Sequence, residues 1–117
     1  MAYVDGFLVP VPKDKLDAYK EMARLGAEVW MEHGALSYVE CVADDVPYGE
    51  VTSFPRAVQA TEDEIVIFSW ITYKDRASRD EINAKVMTDE RFKGYMDNMP
   101  FDGKRMIFGG FQAFLER

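Results

Sequence analysis

The stretch Glu64-Ile65-Val66-Ile67-Phe68-Ser69-Trp70-Ile71-Thr72-Tyr73 constrains the fold more than any other part of the chain. It is a long run rich in β-branched and aromatic residues, and it reads as a central strand. Side chains alternate across a strand, so its two faces are Ile65, Ile67, Ser69, Ile71 and Val66, Phe68, Trp70, Thr72. Neither is a solvent face. A strand that is apolar on both sides needs a cover on both sides, and the rest of the chain has to be searched for two covers.

At 117 residues the chain has room for one hydrophobic core, so 1–117 is expected to be a single domain. With 48% hydrophobic and 30% charged residues it is a folded globular protein rather than a disordered one. Its net charge of -7 argues against a nucleic-acid partner, because neutralising phosphates requires a basic face. No apolar run is long enough to span a bilayer, and Met1-Ala2-Tyr3-Val4-Asp5 lacks the marks of a signal peptide. The single cysteine, Cys41, forms no intramolecular disulfide and suits a reducing compartment. The expectation is a cytoplasmic protein with neither a nucleic-acid nor a membrane partner.

Tyr3 to Val11 alternates as a first strand, ended by Pro10 and Pro12. From Lys13 the period becomes helical, with Leu16, Tyr19, Ala23, Gly26, Ala27 and Trp30 on one stripe, and Gly34 is placed to close that helix. Ala35 to Ala43 is a second strand. A long polar connection leads from Asp44 to Thr61, with Ala57 to Ala60 read as a short edge piece before the central strand. After the central strand, Ser78-Arg79-Asp80-Glu81 has capping-box spacing and predicts the start of the second long helix. Thr88-Asp89 predicts a second cap opening a short helix through Phe92, Tyr95 and Met96. Met106 to Leu115 is the last strand, and Gly109-Gly110 inside it marks a bulge or a close approach. The order βαββαβ, with right-handed crossovers and both helices on one face, gives an α+β, ferredoxin-like four-stranded antiparallel sheet with the first and third strands in the middle.

Sorting the strands by alternation predicts a helix-facing set of Val4, Gly6, Leu8, Val39, Cys41, Ile65, Ile67, Ile71, Ile107, Ala113 and Leu115. The opposite set is aromatic with scattered polar groups: Tyr3, Asp5, Phe7, Tyr38, Glu40, Phe68, Trp70, Phe108, Gln112 and Phe114. No element is left to cover the second set. A bare patch of that size is uncommon on a monomer, which points to a homodimer packed sheet against sheet in a barrel-like sandwich. The alternative is that the long connection folds back over the sheet.

The combination of His33-Gly34-Ala35-Leu36 through Glu40-Cys41, Asp44-Asp45-Val46-Pro47, Thr52-Ser53-Phe54-Pro55, Phe68-Ser69-Trp70, Arg79-Asp80, Lys85-Val86-Met87, Pro100-Phe101-Asp102-Gly103-Lys104-Arg105-Met106 and Gly109-Gly110-Phe111 resembles the YbaA-like family of small bacterial proteins. The resemblance spans nearly the whole chain. It implies a dimeric α/β barrel, the superfamily that also holds cofactor-independent monooxygenases and stress-responsive proteins. It implies no activity and no catalytic residues.

Candidate chemistry comes from the residues themselves. Asp5 and Glu40 are the candidate catalytic carboxylates, because a carboxylate walled by aromatic groups has a raised pKa and can act as a general base near neutral pH. The structural alternative pairs them with an arginine or backbone at the dimer seam. Tyr38, Trp70 and Phe108 are candidate ligand-lining residues. Arg79 and Arg105 are candidates to hold an anionic group at the barrel mouth, or else are locally paired surface charges. His33, the only histidine, suits the last turn of the first helix better than a metal site, so no metal or cofactor is expected. Cys41 reads as an apolar filler. Two functions remain open: a small-molecule binder or cofactor-independent oxygenase-like enzyme, and a non-catalytic homodimeric interaction or stress-related module. A cavity with inward polar groups would distinguish the first from a solidly packed face.

Overall fold

A computed structural model describes residues 1–117. The chain order is β1 (Tyr3–Pro12), α1 (Leu16–Glu32), β2 (Ser37–Val42), α2 (Phe54–Ala57), β3 (Glu64–Tyr73), α3 (Arg76–Met87), α4 (Lys93–Met96) and β4 (Ile107–Gln112). Single 3-10 turns precede α1 and α4. The strands form one antiparallel sheet in the order β2-β3-β1-β4, the α+β, ferredoxin-like topology with β1 and β3 central. No helix is long and apolar enough to cross a membrane.

Several boundaries follow from local chemistry. Gly34 adopts φ +115, which an L side chain resists, and this closes α1 and turns the chain into β2. The Asp89 side chain accepts from the Arg91 N–H and opens the turn before α4, as the sequence predicts. The second long helix begins earlier than Ser78. Asp75 is its N-cap and accepts from the Ser78 N–H at 2.7 Å, so Ser78 lies inside the first turn. The region 57–60 is not an edge strand, because Ser53 caps a one-turn helix, α2, that takes its place.

The largest correction concerns the faces of the sheet. Asp5 lies opposite Ile71, which lies opposite Tyr38, and Phe7 lies opposite Ser69, which lies opposite Glu40. The helix side therefore carries Tyr3, Asp5, Phe7, Tyr38, Glu40 and Phe108 together with Ile67, Ser69 and Ile71. Val4, Gly6, Leu8, Val39, Cys41 and Ile107 share the other side with Phe68 and Trp70. The expected faces of β1, β2 and β4 are inverted relative to β3. The physical reason is that buried carboxylates need partners, and the helices supply them: Arg79 and Asn83 for Asp5, Tyr19 for Glu40. Cys41 is accordingly exposed on the uncovered side.

The core lies between sheet and helices in two clusters, one around Val29, Tyr73, Ile71 and Val86, the other around Val9, Val11, Tyr19 and Ile67. The opposite face has no covering layer. Phe54 of α2 packs edge-on against Phe68 at 5.7 Å between ring centroids, and Phe68 packs against Trp70 at 5.6 Å. Phe68 still keeps 44% of its surface exposed and Phe111 66%. The long connection thus covers one edge of this face and leaves the rest bare.

Candidate functional site

The helix side of the sheet encloses a cavity of ≈ 420 Å³. Phe7 and Ser69 of the sheet form its floor, and side chains of α1, of α3 and of the segment from Phe92 to Met106 line the rest. Five of the chain's seven methionines, Met22, Met87, Met96, Met99 and Met106, line it. Unbranched thioether side chains adapt to irregular surfaces, and they give this cavity a deformable wall. Aromatic rings supply the remainder: Trp30 meets Tyr38 at 5.9 Å and Phe92 at 5.5 Å, and Phe101 meets Tyr19 at 5.8 Å.

Two polar poles interrupt this apolar lining. At the first, Asp5 is only 5% exposed. Its carboxylate stands 3.6 Å from Arg79 Nη1 and accepts from Asn83 Nδ2 at 3.4 Å. Asn83 is itself fixed, since its Oδ1 accepts from Trp30 Nε1 at 3.0 Å and from the Tyr73 hydroxyl at 3.3 Å. Arg79 donates from Nη2 to the Tyr3 hydroxyl at 3.1 Å and lies over the Tyr3 ring. Burial and the nearby Asp5 charge push the Tyr73 phenol well above its usual range, so it stays a protonated donor.

Glu40 is the second pole. Its two carboxylate oxygens accept separately from the hydroxyls of Tyr19 at 2.8 Å and Tyr38 at 2.9 Å. Burial raises the Glu40 pKa above the ordinary carboxylate value, and hydrogen bonds from Tyr19, Tyr38 and Ser69 pull against that rise. Both phenols are raised far beyond their ordinary value by burial and by the neighbouring carboxylate. They remain donors, and Glu40 is the group at this pole that can take up or release a proton. The same three side chains also back onto a shallower groove of ≈ 290 Å³ on the outside, beside Lys20, Arg24 and Cys41.

Two glycines make the poles possible. A Cβ on Gly26 of α1 would lie 2.6 Å from the Tyr38 hydroxyl, and one on Gly110 of β4 would lie 2.7 Å from Arg79 Nη2. The helix stripe therefore has a gap where Tyr38 enters. The Gly109-Gly110 pair of the sequence reading serves a close approach, but of the Tyr3 and Arg79 side chains rather than of another backbone.

The structure brings most of the expected residues together. Asp5, Glu40, Tyr38, Phe108 and Arg79 all line the cavity. Trp70 does not. It points to the uncovered face, so the expected sharing of one face by Trp70, Asp5 and Glu40 is wrong, and Ser69 and Ile71 lie between the two carboxylates instead. Arg105 is also elsewhere. It forms a two-pronged pair with Glu64, at 2.6 and 2.8 Å, donates to the Gln59 carbonyl and pairs with Asp102. It pins the start of β3 to the approach to β4. His33 holds the α1 terminus to Asp89 at 2.9 Å, a structural role. Sequence reasoning missed Asn83, Tyr19 and the methionine wall. Asn83 had a signal, because it is four residues after Arg79 and shares its helix face.

Comparison with known proteins places this architecture. A solved structure, described as a dimeric ferredoxin-like protein from an uncultured marine organism, superimposes with a TM-score of 0.62 at 12% identity, covering 99% of this chain and 98% of that one. At that identity the likeness concerns the fold. In sequence the chain is 55% identical over 116 residues to the uncharacterized protein YbaA of Escherichia coli (strain K12) and to its counterpart in Shigella flexneri, covering 99% of this chain and of each relative. The model of the family described as "Protein of unknown function (DUF1428)" matches residues 2–103, and with the full-length likeness to YbaA it establishes that the chain belongs to this family, the YbaA-like proteins.

Proposed function

We propose that the protein binds, and chemically transforms, a small and largely apolar molecule held between the sheet and the helices, with Glu40 as the proton-transferring group and Asp5, Arg79 and Asn83 orienting the other end. The observation that carries this reading is a cavity of ≈ 420 Å³ with titratable groups facing inward. That volume lies within the roughly 300–1,000 Å³ of ordinary ligand sites, and a polar minority in an apolar lining is their usual composition. A solidly packed inner face would have favoured the alternative of a non-catalytic interaction or stress-related module. A carboxylate with a raised pKa and two fixed phenol donors is suited to general base chemistry. The proposal extends to a cofactor-independent, oxygenase-like reaction in which Glu40 takes a proton from the bound molecule and dioxygen meets the resulting electron-rich anion.

The assembly proposed with this site is a homodimer. The uncovered face presents Phe68, Phe111 and Ile107 with 43–66% of their surfaces exposed, around an apolar trough of ≈ 590 Å³. A second copy related by a two-fold axis offers the same surface and would remove it from water. The similarity to a protein described as dimeric supports this assembly.

Binding of 2-naphthol and indole, followed by thermal shift at millimolar concentration, tests the site. Stabilisation that disappears in a Ser69→Phe variant, which fills the floor, is the expected result. No stabilisation by either compound, or stabilisation unchanged in the variant, contradicts it. Light scattering at micromolar concentration tests the dimer, and a monodisperse monomer contradicts it.

A further inference from the structure

The two poles differ in what they offer a ligand, and the difference defines a ligand class. This deepens the binding-site reading above and rests on it. At the first pole the unused groups of Arg79 are donors. A guanidinium has five N–H bonds. Here one hydrogen bond is made in full, to the Tyr3 hydroxyl. Asp5 at 3.6 Å is beyond hydrogen-bond length, and the buried Nε makes no hydrogen bond, although Asp80 Oδ1 lies 3.2 Å away off its N–H direction. Asp5 accepts from Asn83 and stands too far off to take up these N–H groups, so the guanidinium keeps donors free for an added acceptor.

At the Glu40 pole the unused capacity is of the opposite kind. Tyr19 and Tyr38 spend their hydroxyl protons on the carboxylate, and Ser69 bonds to it as well. A carboxylate has about four acceptor sites, so acceptor capacity remains after these three neighbours while their hydroxyl donors are committed. This pole is short of donors.

Charge narrows the class further. Among the cavity-lining residues Arg79 is the single cation, against Asp5 and Glu40 as anions. An anionic ligand would add a third negative charge to a mostly apolar enclosure, where unpaired charge is strongly disfavoured. The poles are also separated. Asp5 and Glu40 sit two strands apart and two residues out of step, which places their backbones about 12 Å apart at ordinary strand spacing. Ile71 and Ser69 of β3 lie between them, and the rest of the cavity lining is mostly aromatic rings and methionines.

We propose that the cavity selects an uncharged, elongated, mostly apolar compound with a carbonyl-type acceptor at one end, bound by Arg79, and a hydroxyl at the other, donated to Glu40. Both groups are recognised at once by a site that a compound lacking either would leave with an unmet partner. Such a hydroxyl also gives Glu40 a proton to accept: the ligand O–H bond breaks, the carboxylate becomes the carboxylic acid, and the ligand keeps the electron pair as an alkoxide or phenolate.

Four probes on one rigid bicycle test this by titration calorimetry: 6-hydroxy-2-acetonaphthone, 2-acetonaphthone, 2-naphthol and 6-hydroxy-2-naphthoate. The first is expected to bind about tenfold tighter than the second or the third, each of which lacks one hydrogen-bonding group, and tighter than the charged carboxylate. Glu40→Gln should shrink the preference for the hydroxyl while sparing that for the carbonyl, and Arg79→Met should do the reverse. Arg79→Lys, which keeps the charge beside Asp5 but loses the fork, serves where Arg79→Met does not fold, and should also weaken the carbonyl preference. Equal binding of all four probes, tighter binding of the carboxylate, or variants that weaken every probe alike would overturn the ligand class and leave the binding site standing. Failure of every probe to bind would overturn both.

Discussion

The two faces of this sheet both carry large apolar side chains and have opposite surroundings. The inner face carries Asp5 and Glu40, and each is met by partners from the helices, so polar groups there are buried and bonded. The outer face carries Phe68, Trp70, Ile107 and Phe111 with no buried charge among them and only the one-turn α2 at one edge. Apolar surface without directional groups is satisfied by any matching apolar surface, including its own copy. Apolar surface with two fixed poles is satisfied by a molecule that meets both.

The sharpest way to break this division is to charge the outer face. Phe68→Glu with Phe111→Glu should weaken self-association by at least about 100-fold, because each carboxylate would be buried without a partner, as read by sedimentation equilibrium. Probe binding in the inner cavity should be unchanged. If the double variant remains dimeric, the outer face is not the contact.

A smaller effect separates the two arginines, which look alike in the sequence. Arg105 holds the Glu64 carboxyl down to about 2, chiefly by the hydrogen bonds between them. A carboxyl depressed in the folded state contributes stability above its unfolded value, near 4.3, and loses it as pH falls toward about 2. Arg105→Met should therefore cost on the order of 2 kcal/mol at pH 7 in urea unfolding, and the difference from the parent should close as the pH is lowered through that window. Ligand affinity should not change. Arg79→Met should alter the ligand preference instead.

Much of this arrangement could be read from the chain, and the part that could not has one cause. Strand and helix order, the central place of β3 and the closing role of Gly34 follow from period and turn chemistry, which are local. The face assignments of β1, β2 and β4 failed because alternation says which residues share a side, not which side is covered. Taking aromatic and polar residues to be the open set inverted them. The deciding fact is not local: Asp5 finds Arg79 and Asn83, and Glu40 finds Tyr19, across the core. A rule that a buried carboxylate must face its donors would have recovered the correct side. It would also have separated Asp5 and Glu40 from Trp70.

Within the inner face, finer tests follow. Gly26→Ala places a methyl group where the Tyr38 hydroxyl stands. Alanine in a helix gains up to ~1 kcal/mol over glycine, and the displaced ring can move, so net stability should change by less than about 1 kcal/mol. The Glu40 pKa should nevertheless rise, because one of the donors that lowers it is pushed away. Carbon-13 NMR of the carboxyl group reads this directly, and an unmoved titration would show that Tyr38 does not control Glu40.

The smallest expected effect is a change of slope. Glu40 titrates above its unfolded value, so its ionised form is disfavoured in the folded protein, and stability falls as pH rises from the unfolded value through the folded one. Glu40→Gln removes that dependence. The variant should gain in melting temperature relative to the parent at pH 8, with the gain shrinking below pH 4, near the unfolded carboxylate value. A gain that is the same at both pH values would mean that Glu40 is not held against its charge.

Native mass spectrometry of the protein with 6-hydroxy-2-acetonaphthone tests the division between the faces most directly, because it counts chains and ligands in the same particle. Two chains carrying two ligands is the predicted composition, one ligand inside each subunit and none between them. Two chains sharing one ligand, or a single chain whose ligand is lost when Phe68 and Phe111 are charged, would put the ligand on the outer face and contradict the account.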